Sequence, residues 1–111
     1  MNRCLFVGRL VRDPEVKMTK NEKCVCSFTL ACKDRNETDF VDCEVWGKQA
    51  ENLSIYKRKG EWVSVEGRQK TDSYESNGQK RRKTYILADN VEYIGSNKAE
   101  PEEDAPKDFW L

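Results

Sequence analysis

Two aromatic side chains stand where a sheet gains least from them. In Phe40-Val41-Asp42-Cys43-Glu44-Val45-Trp46 the small apolar residues alternate with Phe40, Asp42, Glu44 and Trp46, so a strand over residues 40–46 puts two large rings on the face that carries two carboxylates. A folded monomer gains little from rings placed there unless something covers them. Tyr74 sits in the hydrophilic stretch Asp72-Ser73-Tyr74-Glu75, and Trp62 faces outward from its own alternating run. Around these rings the sequence scatters Arg3, Arg9, Arg12, Lys17, Lys33, Arg35, Lys48, Arg68 and Lys70, then gathers Lys80, Arg81, Arg82 and Lys83 in one run. Exposed flat rings interleaved with cations suit the stacking of unpaired bases, at about 1–3 kcal/mol per base, along a neutralised phosphate backbone. Plainer readings compete: Phe40 and Trp46 also fit beneath a loop or in a subunit interface, and Trp62 suits DNA contact and self-association equally. A single Lys or Arg is usually a solvated charge, and only the run of four rises above that background.

Several other chemistries are closed off. The chain has no histidine, which removes Ser-His and Cys-His nucleophilic pairs and histidine metal sites. Its five cysteines, Cys4, Cys24, Cys26, Cys32 and Cys43, are odd in number and never spaced C-x-x-C, which argues against a disulfide scaffold and a zinc site. No catalytic residue, metal or cofactor is assigned. The N-terminus lacks the long apolar segment of a signal peptide and no stretch approaches the roughly 20 apolar residues of a membrane span, so free thiols in a reducing cytoplasm are expected.

Those functional side chains need a scaffold, and 111 residues at 37% hydrophobic content suffice for one modest core. Short β-rich runs predict five strands, over residues 2–10, 24–32, 40–46, 61–68 and 83–93, with Asp13-Pro14 closing the first. Cys24, Cys26, Phe28 and Leu30 form an inward face, as do Val63 and Val65. One short helix is expected over residues 49–57, with Ala50, Leu53 and Tyr56 or Ile55 on its buried side; Lys57, Arg58 and Lys59 would complement its C-terminal dipole. Phe28 and Tyr56 are assigned to the core. A polar, flexible, basic arm links the last two strands, its tip at Ser76-Asn77-Gly78 because Asn-Gly supplies the positive φ of a tight hairpin. Three strands, one helix and two strands is the order of an all-β, five-stranded OB-fold barrel, whose outer face and loops commonly take oligonucleotides.

The zero formal net charge hides an asymmetry. Residues 1–95 hold 18 Lys and Arg against 15 Asp and Glu, +3, whereas residues 96–111 hold 2 against 5, −3. The second segment lacks the apolar residues to offset the entropy of ordering and reads as a disordered acidic tail behind a folded domain over residues 1–95. It ends in Phe109-Trp110-Leu111. Such an ending suggests a docking tip formed by Asp104, Pro106, Asp108, Phe109, Trp110 and Leu111, with packing on its own barrel or competition for the basic groove as alternatives.

Residues 2–10 with Arg12-Asp13-Pro14-Glu15-Val16, Phe28-Thr29-Leu30-Ala31, residues 40–51, residues 56–60 and Val65-Glu66-Gly67-Arg68 together resemble bacterial and phage single-stranded-DNA-binding proteins of the SSB type. The resemblance spans almost all of residues 1–95. It implies an OB-fold, base stacking by Phe40, Trp46 and Tyr74, a homotetramer that wraps single strands during replication, recombination and repair, and an acidic tip that recruits partner proteins. Two features depart from the family pattern: residues 33–39 lack an aromatic, and the tip differs from the usual run of Asp followed by Ile-Pro-Phe. The short linker would suit a phage or mobile element. A primosome-type OB adaptor and an OB nuclease are the competing classes; the acidic tail argues against the first and the lack of a compact acidic metal cluster against the second.

Overall fold

Alternation of apolar and polar residues builds nearly all of residues 1–95, the part of the chain that the computed structural model describes. The elements are β1 (Cys4–Leu10), β2 (Glu15–Met18), β3 (Cys24–Asp34), β4 (Glu37–Trp46), α1 (Lys48–Tyr56), β5 (Trp62–Ser76) and β6 (Gln79–Tyr93). The strand order is β1-β5-β6-β4-β3-β2, and β1 also pairs with β3. Five strands therefore form a ring, with β2 added at the edge of β3. This is the expected mostly-β architecture with one short helix.

Inside the ring lie the residues that the alternation selects. Leu10, Cys26, Leu30, Val45, Val63 and Val65 are fully enclosed, with Phe28 beside them, and Ala50 and Leu53 of α1 join the same cluster. Ring closure depends on Gly8. There β1 passes from its ladder with β5 to its short one with β3, and a Cβ on Gly8 would stand 2.6 Å from the carbonyl oxygen of Ala31.

Four expectations change. There are six strands, not five: β2 was missed because all four of its residues are exposed, so it carries no inward alternation to detect. Residues 33–39 are not a loop, since β3 and β4 run on to a two-residue turn at Arg35-Asn36, with Asp34 paired to Glu37. The expected flexible arm is a continuous ladder from Gly67↔Ala88 to Ser76↔Gln79, and Asn77 and Gly78 both hold positive φ at its tip, as a two-residue turn requires. Finally, the helix buries only Ala50 and Leu53. Ile55 is exposed and Tyr56, assigned to the core, is 64% exposed; both lie in the last turn of a helix that gives way to extended chain at Lys57. Lys57 does not sit in solvent at the helix end; it is buried, its Nζ 5.3 Å from the centre of the Tyr93 ring.

A bulge between Glu66 and Gly67 leaves Asp89 without a rung in the β5–β6 ladder. Gln49, in the first turn of α1, fills the gap: its Nε2 donates to the Asp89 carbonyl at 2.9 Å, and its Oε1 accepts from the Val91 N–H at 2.9 Å. One carboxamide thus ties the helix to the irregular stretch of β6. The five cysteines are free. Burial raises the thiols of Cys26 to about 11 and Cys43 to about 12, which keeps both protonated and unreactive at neutral pH. The tail expected over residues 96–111, including Asp104, Pro106, Asp108, Phe109, Trp110 and Leu111, lies outside the described residues.

Candidate nucleic-acid interface

Because β4 points Val41, Cys43 and Val45 inward, Phe40, Asp42, Glu44 and Trp46 share its outer face. Their neighbours follow from register. On β3 these are Ala31, Thr29, Ser27 and Val25, and on β6 Leu87 lies opposite Glu44. Two residues back along β6 the same outward parity brings Tyr85, then Lys83 and Arg81. Those three pair across β5 with Lys70, Asp72 and Tyr74, and Leu87 pairs with Arg68. Four strands therefore present one continuous outer surface on which Phe40, Trp46 and Tyr74 stand among Arg68, Lys70, Arg81 and Lys83.

All four proposed stacking rings are open to solvent: Phe40 is 68% exposed, Tyr74 49%, Trp46 40% and Trp62 39%. Phe40 and Trp46 mark opposite ends of the β4 segment, and Trp46 Nε1 donates to Glu44 Oε1 at 3.0 Å, which fixes the indole. Trp62 lies elsewhere on the ring. It pairs with Arg9 across β1–β5, Arg9 pairs with Ala31 across β1–β3, and Ala31 pairs with Phe40, so one row joins Trp62 to Phe40 through the Arg9 guanidinium, 4.9 Å above the indole.

The cations divide by location. β-alternation splits the run of four: Arg81 and Lys83 face the side of Tyr74 and Tyr85, and Lys80 and Arg82 the opposite side. Arg12 follows β1 and borders the surface. Lys17 lies on β2, Lys33 near the end of β3 and Arg35 in the turn beyond it. Two cations are already paired. Arg3 donates to Glu66 at 2.6 Å and Asp89 at 3.0 Å, which raises its guanidinium pKa, chiefly through the Glu66 hydrogen bond; Lys48 lies 3.7 Å from Glu51.

The sequence reasoning missed the centre of this surface. A cleft of about 220 Å³ opens between Arg12, Thr29, Asp42, Glu44, Lys83 and Tyr85. Tyr85 is nearly buried and donates its hydroxyl to Asp72 Oδ2 at 2.9 Å. Burial first, then that hydrogen bond, raise its phenol to about 12. Asp42 accepts from Thr29 Oγ1 at 2.8 Å. The signal was present in the alternation around Thr84-Tyr85-Ile86, which sets Tyr85 opposite the inward Ile86, but only the β4–β6 pairing brings Tyr85 beside Glu44. Among the described residues no group of three or more His, Cys, Asp or Glu is arranged to hold a metal ion, and no helix is long and apolar enough to cross a membrane.

A second surface is apolar. Leu5 and Val7 point outward from β1 and are exposed, next to the β5 residues Glu66 and Ser64 and on the same face as Arg9 and Trp62, two rungs beyond Val7.

Comparison with known proteins places this architecture among relatives. The profile of the Single-strand binding protein family matches residues 1–94. The chain is 41% identical over 102 residues to a single-stranded DNA-binding protein of Halalkalibacterium halodurans, covering 85% of this chain and 61% of that protein. To single-stranded DNA-binding protein A of Bacillus subtilis it is 37% identical over 102 residues, 85% of this chain and 59% of the relative. To single-stranded DNA-binding protein 1 of Lactococcus lactis it is 39% identical over 108 residues, covering 90% and 72% respectively. The chain spans about three fifths of the length of the Halalkalibacterium and Bacillus proteins that it matches.

Proposed function

This chain belongs to the single-strand binding protein family, and from that premise we propose that it binds single-stranded DNA without strong dependence on sequence, coating and protecting it during replication, recombination and repair. It is a binding protein, and no catalytic step is assigned to any residue. The observation that carries the reading is the outer surface of β4, β6 and β5, where exposed Phe40, Trp46 and Tyr74 stand among Arg68, Lys70, Arg81 and Lys83. Rings supply stacking platforms for bases, and the cations neutralise the phosphates between them.

Residues 1–95 act as the binding domain in this reading, and residues 96–111 as an acidic tail whose apolar end recruits replication and repair proteins. The protein works as a homotetramer in the cytoplasm. Supporting self-association, Leu5 and Val7 form an exposed apolar strip on β1 beside Trp62, the kind of surface that a partner copy covers.

The test is a tryptophan-fluorescence titration with oligo-dT and with duplex DNA of equal length, at low and high salt. Strong quenching by oligo-dT, little by duplex, and an affinity that falls with salt are expected. Equal affinity for duplex, or none for oligo-dT, would overturn the reading.

A further inference from the structure

A carboxylate in the middle of a surface that carries a polyanion works against binding, yet Glu44 sits there, partly buried on β4 between Ser27 of β3 and Leu87 of β6. Among the described residues its side chain forms no ion pair. Its contact is with a ring. Trp46 follows two residues on and so shares the outer face, and its indole lies back along the strand to donate Nε1–H to Glu44 Oε1 at 3.0 Å. The indole also has somewhere else to go. Trp46 ends β4, and Gly47 after it has a φ of 77° with open space where a Cβ would stand, so the next residue does not confine the ring. A cleft lined by Lys23, Cys24, Lys48 and Glu51, and not by Glu44, opens beside the same indole. Rotation about χ1 from one staggered well to another carries the ring off the sheet face toward that cleft.

Resting on the single-strand-binding reading, we infer that Glu44 is a positioning residue for Trp46: its hydrogen bond keeps the indole on the sheet face, where a base stacks, and this outweighs the repulsion between its charge and phosphate. Glu44 touches no base in this account and acts only through the ring. The two effects of the carboxylate have opposite signs, which separates them. Charge alone makes every neutral residue at position 44 better for DNA binding, most of all at low salt. Positioning makes a neutral residue better only where it keeps an acceptor for the indole N–H. A hydrogen bond of ordinary net strength biases the two placements of the ring by about fivefold.

The test compares Glu44→Gln with Glu44→Met in the full chain. Both replacements are neutral and of similar length, and only the first keeps a strong acceptor. Affinity for a labelled oligo-dT is read by fluorescence anisotropy at low and high salt, for these variants, the wild type, Trp46→Ala and the two combinations with Trp46→Ala. Glu44→Gln should match the wild type at high salt and exceed it at low salt, where the lost charge counts. Glu44→Met should bind about fivefold more weakly than Glu44→Gln at both. With Trp46→Ala the gap between Gln and Met should close, because the ring through which position 44 acts is gone. The near-ultraviolet circular dichroism of the free proteins should keep its indole signal in Glu44→Gln and lose part of it in Glu44→Met. Equal affinity of the two variants would overturn the inference and leave single-strand binding intact. A gap that persists in the Trp46→Ala background would assign the effect to another contact of position 44 and overturn it as well. If the wild type binds no oligo-dT, the single-strand reading falls and the inference with it.

Discussion

The guanidinium of Arg9 lies 4.9 Å from the centre of the Trp62 ring, on the cross-strand rung that joins β1 to β5. Such a contact is worth about 0.5–1 kcal/mol at an exposed position, and it occupies one face of the indole. A base reaching Trp62 has only the other face or the ring edge. Trp62→Ala should therefore weaken binding of a labelled oligo-dT, read by fluorescence anisotropy, by less than Trp46→Ala or Phe40→Ala does. Should Trp62→Ala be the most damaging of the three, the Arg9 contact would be an aid to base stacking and not a cover.

Phe40 and Trp46 lie six residues apart on one strand, about 20 Å at roughly 3.3 Å per residue, and their side chains share no partner. Each alanine substitution should cost about 1–3 kcal/mol of binding free energy. Sites this far apart act independently, so the double variant should lose close to the sum of the two in equilibrium titration. A double variant no weaker than either single one would mean that only one ring meets DNA.

How far the sequence alone reaches can be judged from these same strands. The inward faces of β3, β4 and β5 were legible because Cys26, Phe28, Leu30, Val45, Val63 and Val65 alternate with polar residues, and the tip of the arm was legible because Asn77-Gly78 suits positive φ. β2 was not, since an edge strand with no buried side chain leaves no pattern. Nor was the fate of Tyr56, which its spacing from Leu53 placed in the core and which the last turn of the helix leaves exposed. The outward direction of Phe40 and Trp46 could be read locally. The cleft between Asp42, Glu44 and Tyr85 could not, because it arises from a two-rung parallel contact of β4 with β6, Cys43↔Ile86 and Glu44↔Leu87, between strands far apart in the chain, that no local period encodes.

The arm makes a prediction about salt. With Arg81 and Lys83 on the face of Tyr74 and Tyr85, and Lys80 and Arg82 on the other, the two pairs should differ. For single strands each phosphate contact contributes about −0.7 to the slope of log K against log salt. Replacing Arg81 and Lys83 by Gln should flatten that slope by about 1.4, twice the single-contact value, whereas the same change at Lys80 and Arg82 should leave it nearly unaltered. Equal flattening by both pairs would show that DNA passes around both sides of the arm.

Gln49 carries a stability prediction distinct from binding. Its carboxamide serves the Asp89 carbonyl and the Val91 N–H where the β5–β6 ladder is interrupted. Gln49→Ala leaves both backbone groups without that partner, at a cost of about 1–3 kcal/mol for each group that water does not reach. A fall in the urea midpoint with an unchanged m-value is expected. Gln49→Glu should also destabilise, because a carboxylate accepts from Val91 but cannot donate to Asp89. A neutral outcome for both variants would mean that solvent replaces the carboxamide at the bulge.

Tyr85 makes the fold sensitive to high pH. Burial, the hydrogen bond to Asp72 and the nearby charge of Glu44 raise its phenol from the ordinary 10 to about 12, against a lowering influence of Arg68. The folded chain thus holds this proton more tightly than the unfolded chain. Its contribution to stability is complete below about pH 10 and is lost as the pH rises through about 12. Tyr85→Phe removes both the hydroxyl and this dependence. The difference in unfolding free energy between wild type and Tyr85→Phe should be constant from pH 7 to about 9.5 and shrink between about 10 and 12. A spectrophotometric titration at 295 nm should show the wild type ionising one more tyrosine near pH 12 than the variant does. If the stability difference instead stayed constant to pH 12, the Tyr85 hydroxyl would be titrating alike in both states, and its bond to Asp72 would not be holding the face of the sheet together.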